Sequence, residues 1–150
     1  MGQSLIKNYL HLVFSTKHRA PLIDAAIEEE LHAYIGGICS RLGCTPIRVG
    51  GYKDHIHILC ILSAKIPLMK LMEEVKGHSS KWIKTKGEAY KYFYWQNGYA
   101  AFSVNPRGVE RVTKYIENQH AHHGKNTFKE ELIAFLREYQ IKFEERYLWD

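Results

Sequence analysis

Long apolar runs are missing from this 150-residue chain. None approaches the ~20 residues that a membrane-spanning helix needs. The N-terminus lacks the apolar stretch and small-residue cleavage site of a secretory signal. Cysteine is scarce as well. Cys39, Cys44 and Cys60 are odd in number and show no C-x-x-C spacing, a pattern that suits a reducing cytosol better than secretion. A cytoplasmic protein with no membrane partner is therefore expected. Internal repeats, low-complexity stretches and interdomain linkers are also lacking, so the whole chain reads as one domain with a real core. Acidic residues are the minority charge: 16 Asp plus Glu stand against 21 Lys plus Arg, for a net charge of +5. That excess permits a polyanionic partner without demanding one.

What is present is an ordinary globular composition, 45% hydrophobic, with clear strand and helix signals. Tyr9 to Ser15 is rich in strand formers. Asp24 is a good N-cap for a helix running to about Leu42, with Glu28 to Glu30 in its early part and apolar residues at helical spacing. Gly36-Gly37 inside that helix predicts a kink or a close contact. Thr45 to Val49 reads as a second strand, and Gly50-Gly51 as the turn into a third over His55 to Leu62. Pro67 opens a second helix. Tyr90 to Trp95 is an aromatic cluster, and Tyr99 to Val104 a fourth strand. A helix from about Val109 to His122 and another from Phe128, capped by Thr127, complete the assignable elements. The order β-α-β-β-α-β plus two appended helices predicts an α+β, ferredoxin-like antiparallel sheet with helices on one face.

The third strand carries the strongest chemical signal. Alternation along His55-Ile56-His57-Ile58-Leu59-Cys60 puts His55 and His57 side by side on one face, beside Leu59. Two buried imidazoles need partners, and a divalent metal ion is one such partner. Without one, they are ordinary strand histidines. On the third helix, Tyr115 and Gln119 are four apart and share a face. His122 and His123 continue roughly along it; His120 does not. A third metal ligand would come from the Gln119 amide oxygen or from a nearby histidine. His123 would suit zinc, and an amide oxygen a harder ion such as magnesium or manganese. Tyr115 would then lie one turn from the ion, placed for nucleophilic attack.

Taken together, these segments resemble the single-tyrosine HUH transposases, which move bacterial insertion sequences as single-stranded DNA. His55-Ile56-His57 matches the HUH motif, preceded by Asp54. Tyr115-Ile116, Gln119 and His122-His123 match the tyrosine helix. His11 to Arg19, Trp95 to Val104 and the closing Tyr147-Leu148-Trp149-Asp150 are also similar to this family. The resemblance implies that Tyr115 attacks a DNA phosphate, becomes joined to the 5′ side and leaves a 3′ hydroxyl. It implies one Mg2+ or Mn2+ ion on His55, His57 and Gln119, with Asp54 orienting a histidine. A phenol is a better leaving group than a sugar alcohol, so the linkage can be reversed without ATP. The resemblance further implies hairpin recognition and a homodimer in which the tyrosine helix of one subunit is able to complete the site of the other, in cis or in trans.

For DNA binding, the basic loop Lys17, His18 and Arg19, the lysines Lys81 and Lys84, the aromatics Tyr94 and Trp95, and Arg107 are the expected contacts. Basic grooves hold the backbone while aromatic rings stack bases. Three other readings compete. One is a ferredoxin-like module that binds nucleic acid without chemistry. A second is a metal-dependent hydrolase in which Tyr115 only packs. A third is a domesticated relative that processes chromosomal repeats.

Overall fold

A computed structural model describes residues 2–149. Asp150, the last residue of the closing motif, lies outside the described residues. Four strands form one antiparallel sheet: β1 (Tyr9–Ser15), β2 (Thr45–Tyr52), β3 (His55–Ile61) and β4 (Ala100–Ser103). Their spatial order is β2-β3-β1-β4, so the histidine strand is central. The helices are α1 (Glu28–Arg41), α2 (Leu68–Lys84), α3 (Val109–Glu117), α4 (Gln119–His123), α5 (Phe128–Glu138) and α6 (Glu145–Leu148).

Side-chain alternation divides β1 and β3 between two environments. Leu12, Phe14, Ile56, Ile58 and Cys60 enter the main core beneath α1 and α2, with Leu31, Ile35, Leu71 and Val75. On the opposite face, Val13 and Phe102 pack with Phe128, Leu132 and Leu136 of α5. Both faces are thus covered: the ferredoxin-like pair lies on one, and the appended helices lie on the other. His11, His55 and His57 belong to this second face, and all three are buried. All three cysteines are free and buried, and burial pushes the Cys39 and Cys60 thiols up to about 12.

Several boundaries differ from the sequence expectation, each for a local reason. Gly50-Gly51 is not the turn; it lies inside β2, opposite His57 and Ile56. The turn falls at Lys53-Asp54, between the paired Tyr52 and His55. Gly50 serves close packing instead. A Cβ there would stand 2.6 Å from Ile116 Cγ2 and 3.0 Å from the Ile116 carbonyl, so only glycine lets α3 settle this near the sheet. At Gly51, φ is 152° and a Cβ would meet the His55 carbonyl at 2.2 Å. Gly36-Gly37 makes neither a kink nor a tight contact. Helix α1 runs through it unbroken, and a Cβ on Gly37 meets nothing within 4 Å. Asp24 opens a turn that precedes α1, accepting from the Ala26 N–H, while Ile27 takes the N-cap position. The predicted third helix is two helices. Asn118, at φ −96° and ψ 18°, ends α3 before α4 begins.

Candidate active site

The site is built from β3, β1 and three helices. β3 presents His55 and His57 on the appended-helix face. Ile116 seats α3 against Gly50, so Tyr115, the residue before it, comes toward the imidazoles. The Tyr115 and His57 ring centroids are 5.8 Å apart. Thr127 starts α5 with a capping box in which its hydroxyl and the Glu130 carboxylate satisfy each other's backbone N–H. Phe128 then stacks on His55 at 4.5 Å. One turn into the helix, Glu131 projects into the same space.

Glu131 joins the parts. It is 5% exposed, a rare burial for a carboxylate. Its Oε1 lies 2.9 Å from His57 Nε2 and 3.4 Å from His55 Nε2. Its Oε2 accepts from the Tyr115 hydroxyl and, at 3.0 Å, from the Gln119 amide N–H. His123 Nε2 is 3.2 Å from that oxygen and 2.9 Å from Gln119 Oε1. Gln119 Oε1 is also 2.9 Å from His55 Nε2. His120 turns away toward Glu28, as the helical spacing predicted. Gln119 and His123, proposed in sequence as alternatives, converge on the same point.

The chemistry of this donor set suits a cation. His55 Nδ1 lies 2.7 Å from the Asp54 carboxylate, and His123 Nδ1 donates to the Asn126 carbonyl at 2.8 Å. With those protons placed, both neutral rings point bare Nε2 atoms at oxygens that are themselves acceptors. Lone pairs facing lone pairs in a buried space require a proton or a metal ion between them. His57 has a similar choice. If its Nδ1–H donates to His11 Nε2, 2.7 Å away, its Nε2 faces Glu131 bare. If His11 donates instead, His57 Nε2 carries the proton to Glu131. His55, His57 and Glu131 form a group with ligand atoms close enough for one ion, and His122, His123 and Glu131 form another.

The pKa directions follow from the same contacts. Burial lowers His55, but the Asp54 and Glu131 carboxylates outweigh it and raise the ring to about 9. Burial drives His11 down to about 3, and His57 adds to the shift. Burial would raise Glu131, yet His57, His123 and His55 hold it well below the ordinary carboxylate range. Burial, and then the charge of Glu131, raises the Tyr115 phenol.

Sequence reasoning missed Glu131 and His11. Both left a signal. Phe128, Leu132 and Leu136 mark the apolar stripe of α5 at helical spacing, and Glu131 sits within it as the one charged residue. Alternation in β1 places His11 on the face of Val13 and Ser15, the face that pairs across to the histidine side of β3.

The expected DNA contacts fare unevenly. Lys17 and Tyr94 are exposed and joined by a backbone hydrogen bond of 2.8 Å. Lys84 Nζ lies over the Tyr94 ring at 4.3 Å. These three make one basic and aromatic patch. His18 and Lys81 are exposed, and Arg19 is half-buried. Arg107 is exposed in the turn that opens α3. Trp95 departs from the expectation. It is buried against Phe14 and Phe93, and its indole N–H donates to Ser79. No face of it is free to stack a base, because this ring completes the core under α2.

A pocket of about 380 Å³ lies beside the cluster, lined by Tyr52, Asp54, His123 and Phe128 together with the 124–127 turn. Residues 4–119 match the family model described as "Transposase IS200 like", and the chain belongs to that family. A candidate transposase from Deinococcus radiodurans R1 has a similar structure, with a TM-score of 0.62 and 20% identity over 79% of this chain and 96% of that one. A REP-associated tyrosine transposase bound to a REP hairpin also scores 0.62, at 14% identity, covering 83% of this chain and 73% of that one. No curated protein matches the chain. The family match ends at Gln119, so Glu131 lies beyond it. No helix among the described residues is long and apolar enough to cross a membrane.

Proposed function

We propose that this transposase cuts and rejoins single-stranded DNA through a covalent bond to Tyr115. One observation carries the proposal: within a single chain, one buried carboxylate hydrogen-bonds the Tyr115 phenol and faces the His55–His57 pair. A partly buried phenol takes a hydrogen-bond partner in any role; that its partner here is the carboxylate facing the imidazole pair favours the nucleophile reading over a simple hydrolase.

His55, His57, Gln119 and Glu131 would hold one divalent ion, Mg2+ or Mn2+, with His123 beside them and Asp54 fixing the His55 ring. Such an ion supplies charge stabilisation at a phosphate oxygen. The protein's own groups do the rest. Tyr115 oxygen attacks phosphorus and forms the P–O bond to the 5′ side. The bond to the 3′ oxygen breaks, and the phenolic proton, relayed through Glu131 Oε2, ends on that 3′ oxygen. In reverse, a 3′ hydroxyl attacks the phosphotyrosine, its proton returns by way of Glu131, and the phenol leaves protonated. The hairpin in the structural neighbour and the patch of Lys17, Tyr94 and Lys84 support hairpin ends as the DNA recognised. The family resemblance also supports a homodimer in the cytoplasm. Since one chain already joins phenol and imidazoles, exchange of tyrosine helices between subunits is a later step and not a requirement for the cut.

Incubating the protein with single-stranded hairpin DNA and Mn2+ tests the reading. A denaturation-resistant adduct that Tyr115→Phe abolishes is expected. Cut DNA with no adduct would replace the proposal with a hydrolase, and neither product would leave a binding module.

A further inference from the structure

Outside the metal-facing cluster, a second group of side chains lacks partners. Arg19 Nη1 and the Trp149 indole N–H are buried donors with no acceptor among the described residues. Leaving such a donor unmet costs about 1–3 kcal/mol, more for a charged one. The two belong to one assembly. The Arg19 guanidinium stands 5.1 Å from the Trp149 ring centroid, and Lys129 Nζ stands over the same ring at 5.1 Å. Neither cation has a carboxylate within salt-bridge distance among the described residues. Two positive charges therefore converge on one indole with no balancing anion among the described residues.

The backbone beneath is held against its preference. His18 and Arg19 have φ of 58° and 55°, a left-handed conformation that costs non-glycine residues on the order of 1–3 kcal/mol each. Thr16 fixes the loop: its hydroxyl donates to the Ala20 carbonyl at 2.8 Å, and its N–H donates to the Asp54 carbonyl at 2.8 Å. Asp54 in turn contacts His55. Lys129 follows Phe128, the ring stacked on His55. The unmet donors are thus tied from both sides to the histidine strand.

We infer that Arg19, Lys129 and Trp149 form a phosphate subsite, which takes a backbone phosphate of the DNA strand next to the one cleaved. The two cations supply charge, and the guanidinium and indole N–H groups supply the donors that an anionic oxygen would satisfy. Single-stranded DNA as the source rests on the function proposed above. Arg19 lies within the family match, and Lys129 and Trp149 lie beyond its end at Gln119.

The test is binding of a hairpin oligonucleotide to the full chain across a salt series, in the Tyr115→Phe background so that no adduct forms. Lys129→Ala and Arg19→Ala should each weaken binding and each flatten the log–log salt slope by about 0.7, the value for one single-strand phosphate contact. Mn2+ affinity should stay unchanged in both. Lys129 is exposed, so its variant keeps the test valid if Arg19→Ala does not fold. Inorganic phosphate, followed by Trp149 fluorescence against a Trp149→Phe control, separates the two sources. Quenching by the oligonucleotide at concentrations where free phosphate gives none supports a DNA subsite. Quenching by free phosphate that the oligonucleotide does not displace would overturn it. An unaltered salt slope in the Lys129 variant would also overturn it, while adduct formation by the unmodified protein would leave the Tyr115 chemistry standing.

Discussion

Glu131 is the residue on which the site turns. Replacing it by glutamine keeps its shape but removes its charge from both the imidazole pair and Tyr115. Glu131→Gln should weaken Mn2+ binding by about tenfold to a hundredfold or more, read by calorimetric titration, and should slow adduct formation. Equal ion affinity in the variant would restrict Glu131 to holding Tyr115. The histidines predict a pH dependence in chelated, ion-free protein. His11 is lowered to about 3, so the unfolded chain binds the proton first. Stability should fall as pH drops from ~6.5 toward 3. His55 is raised to about 9, so its contribution is complete below ~6.5 and lost as pH rises through 9. Melting temperatures over this range should fall on both sides of neutrality. His11→Gln should flatten the acid side and Asp54→Asn the alkaline side; curves that match the unmodified protein would refute these assignments.

At the level of elements, two glycines separate propensity from packing. Gly37→Ala fills open space in α1 and should stabilise the protein by about 0.5–1 kcal/mol. Gly50→Ala forces a methyl into Ile116 and should cost about 1–3 kcal/mol. It should also displace α3 and lower adduct yield more than its stability loss alone accounts for. Thermal unfolding and the adduct assay measure both. This contrast also shows where the sequence was legible. Alternation in His55 to Leu62 and the apolar spacing of α1 and α2 fixed the sheet faces and the main core, because burial repeats with the period of the element. The convergence of His55, His57, Tyr115 and Gln119 could be anticipated because the two histidines are two apart on one strand and Tyr115 and Gln119 are four apart across the α3–α4 junction. Gly50, Glu131 and His11 could not be, since each is defined by a partner far away in sequence. Trp95 misled for a related reason: aromatic composition looks alike whether a ring stacks a base or fills a core.

For the molecule as a whole, the sheet divides labour. One face is closed by α1 and α2 over the larger core; the other holds a smaller apolar cluster and the proposed site beneath α3, α4 and α5. The proposed homodimer should give twice the 17.5 kDa chain mass in light scattering at working concentrations. A single chain mass would confine cutting and rejoining to one subunit.

The non-helical residue Asn118 gives this arrangement a mechanical consequence. Before it lies α3, the segment that would carry the severed strand; after it lie Gln119, His123 and Glu131, which with His55 and His57 of β3 would grip the ion. Under the proposed chemistry, a swivel at Asn118 would let the first travel while the second stays whole. A captured 5′ end could then be moved to a new 3′ terminus without dismantling the centre that must seal it.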